Sequence, residues 1–139
     1  LPEVQIEAWP NRIEECDFIV ITCALTKSSY HMVNADVFEK VKNGVRIVNV
    51  GRGPIVDEAS LEEAIKSGKV YSAALDVFEQ EPVDSENKLL SHPDFHGTPH
   101  IGAATIEAQS RVGLDIAKNV MDSLAGKTVK AIVNSHLMK

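Results

Sequence analysis

Three side chains that together could hold an anion and move a proton follow one another along the chain: Arg52, Glu81 and His100. Imidazole titrates near neutrality and is the natural proton carrier. His100 lies in Thr98-Pro99-His100-Ile101-Gly102, where the proline fixes the backbone ahead of it and the glycine admits a close neighbour. A carboxylate beside an imidazole favours the protonated ring and selects which nitrogen faces outward. Glu79-Gln80-Glu81-Pro82 offers two such carboxylates, and spacing does not choose between Glu79 and Glu81. Arg52 stands between Gly51 and Gly53 at the end of an apolar run, where a guanidinium fork could grip a carboxylate without crowding from its neighbours. A carboxylate clamp and a proton carrier suit the reduction of a 2-oxo acid or its reverse. The hydride for that reaction must come from a cofactor, since no side chain supplies one. His92 and His96 lack comparable flanks and read as surface residues.

These residues need a scaffold that brings distant segments to one edge. Phe18 to Cys23 is a continuous apolar, β-rich run, as in a strand buried on both faces of a parallel sheet. A short helix follows, with Asn34 as its N-cap and Gly44 just past its end. Val45 to Val50 is a second strand. Asp57 caps a helix through Leu61, Ala64 and Ile65 that stops at Gly68, and Val70 to Asp76 is a third strand. The segment from Glu79 to Pro99 reads as a long loop. The longest helix runs from about Thr105 to Ala125, with Val112, Ile116, Val120 and Leu124 repeating every four residues and Gly126 ending it. Val129 to Val133 reads as a short extended tail. Strand-helix alternation of this kind is α/β: a partial, Rossmann-like doubly wound parallel sheet. Such sheets bind ligands beyond the carboxyl ends of their strands. Thr22, Cys23, Gly51, Arg52 and Asp76 all fall at those ends.

The chain has 139 residues, 44% apolar and 24% charged, which is ordinary for one globular domain. Its net charge of −6 argues against nucleic acid or an anionic membrane as partner. No apolar run is long enough for a transmembrane helix. Cys16 and Cys23 form no C-x-x-C, so neither a metal nor a redox pair is expected; each reads as a small residue of an apolar strand in a reduced, cytoplasmic setting.

Asn49-Val50-Gly51-Arg52-Gly53, Val56-Asp57-Glu58, Leu75-Asp76-Val77-Phe78, Glu81-Pro82 and Pro99-His100-Ile101-Gly102 occur in one order over most of the chain. Jointly they resemble the NAD-dependent D-2-hydroxyacid dehydrogenases. Gly102-Ala103-Ala104-Thr105 followed by Glu107-Ala108-Gln109-Ser110-Arg111 looks most like the D-3-phosphoglycerate dehydrogenases. The resemblance implies that His100 is the acid/base, that Glu81 (the glutamate next to the proline) is its partner, and that Arg52 clamps the substrate carboxylate. It implies NAD contacts at Thr22, Cys23, Val50, Gly51, Arg52, Asp76, His100 and Gly102, with Asp76 orienting the nicotinamide carboxamide. Ala24 departs from the family, many of whose members carry proline there.

The family's glycine-rich phosphate turn has no match here. The chain therefore reads as the C-terminal portion of an NAD-binding domain (1–139), with 127–139 as a tail returning toward a substrate domain. The implied activity is hydride transfer between NAD and a D-2-hydroxy acid. 3-Phosphoglycerate in serine biosynthesis is the first expectation and glyoxylate or hydroxypyruvate reduction the alternative. A non-catalytic NAD-sensing or oligomerisation module, or an inert fragment, is the contrasting class. Association with itself or with a missing N-terminal segment is expected, because the first strand would have an open edge.

Overall fold

A computed structural model of the chain describes residues 4–129, 132 and 133. It divides into two units, one ending at His100 and the other beginning at Ile101. The first holds strands β1 (Phe18–Ile21), β2 (Val45–Asn49), β3 (Val70–Leu75) and β4 (Phe95–Gly97), and helices α1 (Ala35–Lys40) and α2 (Glu58–Lys66). All strand pairs are parallel, in the order β1-β2-β3-β4. This is one direction of winding, the half of a Rossmann-like sheet that the sequence implies. Right-handed crossovers wound in one direction place α1 and α2 on the same face. There Val37, Phe38, Leu61 and Ile65 share one core with Ile19, Ile21, Ile47 and Leu75.

The expectation of strands buried on both faces fails for β1. Ile19 and Ile21 are buried, but Phe18 and Val20 are 59% and 58% exposed. On β3, Tyr71 is 58% exposed. The guanidinium of Arg46 lies over the rings of Phe18, at 5.2 Å, and Tyr71, at 4.6 Å. An unbroken apolar run does not record how many of its faces are covered.

Three boundaries also differ. β1 ends at Ile21, so Thr22 and Cys23 lie beyond it, and Cys23 is exposed rather than a core residue. α1 ends at Lys40 and Gly44 is not its terminator. With φ of 80°, Gly44 makes the left-handed turn into β2 and donates its amide to Lys69 O at 2.9 Å. The expected loop from Glu79 to Pro99 contains a 3₁₀ turn (Lys88–Ser91) and β4, which pairs with β3. With three residues and one buried side chain, β4 is too short to show a period of two.

Asp57 caps α2 as its sequence suggests. Its Oδ1 accepts from the amides of Ala59 and Ser60 at 3.2 and 3.4 Å, and the Ser60 hydroxyl donates to Oδ2 at 2.6 Å. Burial works against the charge, but the Ser60 hydroxyl and these amides outweigh it and hold the carboxyl below the usual aspartate range. Asp57→Ala is expected to destabilise the fold by about 1 kcal/mol, read as a lower denaturation midpoint. An unchanged midpoint would show that the cap contributes nothing.

The second unit holds α3 (Ile106–Leu124). The Thr105 side chain caps it by accepting the Ala108 amide at 3.1 Å. Gly126, with φ of 73°, closes it in a left-handed turn, as the sequence suggests. No α3 residue is buried, so its stripe of Val112, Ile116, Val120 and Leu124 is exposed. Of the expected tail, Val129, Ile132 and Val133 form no strand; Lys130, Ala131 and 134–139 lie outside the described residues.

Candidate active site

The site grows from the ends of the four strands. Because the strands are parallel and in register, the residues just past β1, β2, β3 and β4 emerge at one edge. Val50 donates its amide to Ile21 O, Asp76 to Asn49 O and Thr98 to Leu75 O, each within 3.0 Å. These bonds extend the ladder one step past each pair and set Thr22, Val50, Asp76 and Thr98 side by side.

Asn49 shapes the next turn. It is completely buried, and both ends of its amide are bonded: Oδ1 accepts the Gly51 amide and Nδ2 donates to Arg52 O, both at 3.0 Å. The turn carries Gly51 against Cys23, whose carbonyl would stand 2.8 Å from a Cβ at position 51. It also presents Arg52 to solvent, where Nη1 donates to Gly51 O at 2.7 Å. Among the described residues Arg52 makes no ion pair, which leaves its charge available to an anion. On the far side of the turn, Gly53 packs so tightly that an added Cβ would fall 1.8 Å from Phe78 O. The arginine turn and the glutamate turn are thus in backbone contact.

Glu81 and His100 meet. His100 Nδ1 lies 2.7 Å from Glu81 Oε2, while Glu81 Oε1 accepts the Phe78 amide at 3.0 Å. A carboxylate can only accept, so Nδ1 carries the hydrogen and Nε2 is the nitrogen left for chemistry. The His100 ring and the Phe78 amide hold the Glu81 carboxyl below the usual glutamate range. Both side chains stay partly open, 46% exposed for His100 and 37% for Glu81. His100 also has φ of 55°, a left-handed backbone uncommon for a residue with a side chain and a mark of functional sites. Phe78, Glu81, Pro82, Val83, Pro99 and His100 line a cleft of about 440 Å³. A larger open groove of about 760 Å³ over α1 and α2 contains none of the candidate catalytic or cofactor-binding residues.

Asp76 is half-buried and accepts the Thr98 hydroxyl at 2.5 Å. Thr98 went unremarked in the sequence as a partner. The register pairs Leu75 with Gly97, so the next residues face each other, but that relation is visible only once β4 is known. His96 is exposed, as expected; His92 is half-buried, with Nδ1 accepting the Asp94 amide at 3.3 Å. Gly102 belongs to the second unit. Among the described residues, no cluster of His, Cys, Asp or Glu could hold a metal ion, and no helix is long and apolar enough to cross a membrane.

Residues 2–102 match the D-isomer specific 2-hydroxyacid dehydrogenase, NAD binding domain family. The chain belongs to that family. Among its relatives is a glyoxylate/hydroxypyruvate reductase B of Shigella dysenteriae serotype 1 (strain Sd197), 40% identical over 125 residues, covering 90% of this chain and 39% of that protein. The fold superposes on a glyoxylate reductase from Paecilomyes thermophila with a TM-score of 0.81 at 34% identity, over 88% of this chain and 38% of that one. A D-isomer specific 2-hydroxyacid dehydrogenase from Xanthobacter autotrophicus Py2, solved with NADPH, gives 0.74 at 32% identity, over 85% and 48%. The chain thus spans about two-fifths of the curated relatives it matches. It carries NAD-binding-domain residues of this dehydrogenase family, and the strand-end groups fit such a cofactor. Gly51 is buried against Cys23, Val50 offers an exposed apolar surface, and Asp76 and Thr98 supply polar atoms beside it.

Proposed function

We propose that this chain supplies the proton-transfer and substrate-clamping half of an enzyme interconverting small D-2-hydroxy and 2-oxo acids. The observation that carries the reading is the 2.7 Å contact between His100 Nδ1 and Glu81 Oε2 at the ligand-binding edge of the sheet. A bound nicotinamide supplies or accepts the hydride. In the reductive direction, His100 Nε2 delivers a proton to the substrate oxygen as negative charge develops there. Glu81 holds the Nδ1 side of the ring and so keeps Nε2 turned outward for the substrate. Arg52 binds the substrate carboxylate and draws electron density from the neighbouring carbonyl. Asp76, braced by Thr98, accepts a hydrogen bond from the cofactor carboxamide, and Thr22, Cys23, Val50 and Gly51 flank the cofactor. Gly102 joins that set by its place in the motif.

Glyoxylate or hydroxypyruvate is the substrate this reading favours, because the relatives named above include a glyoxylate/hydroxypyruvate reductase B and a glyoxylate reductase. The phosphoglycerate branch suggested by the run from Gly102 to Arg111 has no counterpart among them. We read 1–139 as the later part of the nucleotide-binding domain, with 127–139 leading out of it. The exposed Phe18, Val20 and Tyr71 support association with further chain or a second copy.

The test is reduction of glyoxylate, hydroxypyruvate and 3-phosphohydroxypyruvate by the full-length protein, with NADH and NADPH in parallel. Turnover of the first two is expected. Turnover of the phosphorylated acid alone would restore the phosphoglycerate branch, and no oxidation of either nucleotide would remove the enzymatic reading.

A further inference from the structure

Glu79 competes with Glu81 for His100 in the sequence, yet the structure gives it other contacts. Its Oε1 accepts the amide hydrogen of Glu58 at 2.8 Å, and its own amide donates to Glu58 Oε1 at 2.6 Å. These two bonds clasp the first residue of α2 to the turn that bears Glu81. The second oxygen of Glu58 accepts from Asn87 Nδ2 at 2.8 Å. The second oxygen of Glu79 lies 3.3 Å from His31 Nε2, a buried atom with no aligned hydrogen bond. His31 is itself held in place. Its φ is 47°, its amide donates to Pro54 O at 2.9 Å, and its ring stacks on Tyr30 at 4.0 Å. One carboxylate therefore links the loop after β1, the start of α2 and the glutamate turn.

We propose that Glu79 is a positioning residue for proton transfer: it holds the turn from Phe78 to Glu81 so that the Glu81 carboxylate meets His100 Nδ1. The turn is anchored at Phe78 by its contact with Gly53 and at Glu79 by the clasp. Glu81 then has little freedom except toward His100. Without the Glu79 carboxylate, the Glu58 amide loses its acceptor and His31 loses its neighbour; the clasp is cut to the single bond from the residue 79 amide to Glu58 Oε1, beside the Gly53 contact and the Phe78 amide bond to Glu81. The inference rests on His100 and Glu81 being the proton-transfer pair.

The test uses the full-length enzyme. Glu79→Ala is expected to lower kcat per folded molecule roughly ten- to a hundredfold, the scale of a small misplacement of a reacting group, with KM for the nicotinamide cofactor nearly unchanged. Glu79→Gln retains an acceptor for the Glu58 amide and is expected to recover most of that loss. His31→Asn suits the left-handed backbone and removes the ring's approach to Glu79 together with its stacking on Tyr30; a smaller fall in kcat is expected, and this variant reads the contact even if Glu79→Ala folds poorly. Wild-type kcat in both Glu79→Ala and His31→Asn, with only the denaturation midpoint lowered, would overturn the proposal. So would a loss that Glu79→Gln fails to recover. His100→Asn, assayed alongside, separates the two readings. If it is inactive while Glu79→Ala is fully active, only the role of Glu79 falls; if it is active, the proton-transfer reading falls first.

Discussion

Replacing His100 by asparagine in the full-length enzyme is expected to lower kcat roughly 10²- to 10⁴-fold, the range for removing a general acid or base. Asparagine tolerates the left-handed φ of 55° and cannot move a proton at neutral pH, so the loss reports chemistry rather than backbone. Cofactor affinity should change little. Undiminished kcat would take His100 out of the mechanism. The same substitution has a second readout in the isolated chain. Glu81 is held low first by its hydrogen bond with His100 and then by the Phe78 amide. A carboxyl whose folded value lies below its unfolded one contributes stability fully above the ordinary glutamate range and loses it as pH falls through the lowered value. In His100→Asn the Glu81 midpoint should rise toward the ordinary value. Carboxyl-carbon NMR titration measures it, and an unmoved midpoint would mean that the pair is not formed in solution.

The second large effect is expected at Gly53. An added methyl group would lie 1.8 Å from Phe78 O and 2.6 Å from Glu79 N, atoms of the backbone that cannot rotate away. Gly53→Ala should therefore destabilise the fold by about 3 kcal/mol, the upper part of the usual range for overpacking. It should also push apart the turns that carry Arg52 and Glu81, so activity in the full-length enzyme should fall even below the melting transition. Gly113 provides the contrast: it lies within α3 with nothing within 4 Å of an added Cβ, and Gly113→Ala should stabilise that helix by roughly 0.5–1 kcal/mol. Equal midpoints for the two variants would show that the contact between Gly53 and Phe78 is loose.

The sequence made the framework legible where local signals are strong. Asn34 and Asp57 cap the helices they were expected to cap, and the three longer strands begin where expected. The pairing of Glu81 with His100 needed the family motif, since Glu79 has the same chemistry two residues away. Three features left no local trace. β4 is too short for periodicity. The exposed side of β1 depends on what covers the sheet, which Phe18 and Val20 do not encode. The partnership of Asp76 with Thr98 arises from strand register, a property of two segments rather than either one. The clasp at Glu79 was hidden for the same reason, because its partners Glu58 and His31 are brought together by tertiary structure.

The single direction of winding has a consequence for how such a site can change. Neighbouring strands stand about 4.8 Å apart, so the loops after β1, β2, β3 and β4 leave the sheet at fixed intervals and in chain order. Each loop can vary in length or composition without moving the point where the next one begins. The edge's chemistry can therefore drift one loop at a time, while the ladder beneath keeps the starting points of the loops bearing Arg52 and His100 in step.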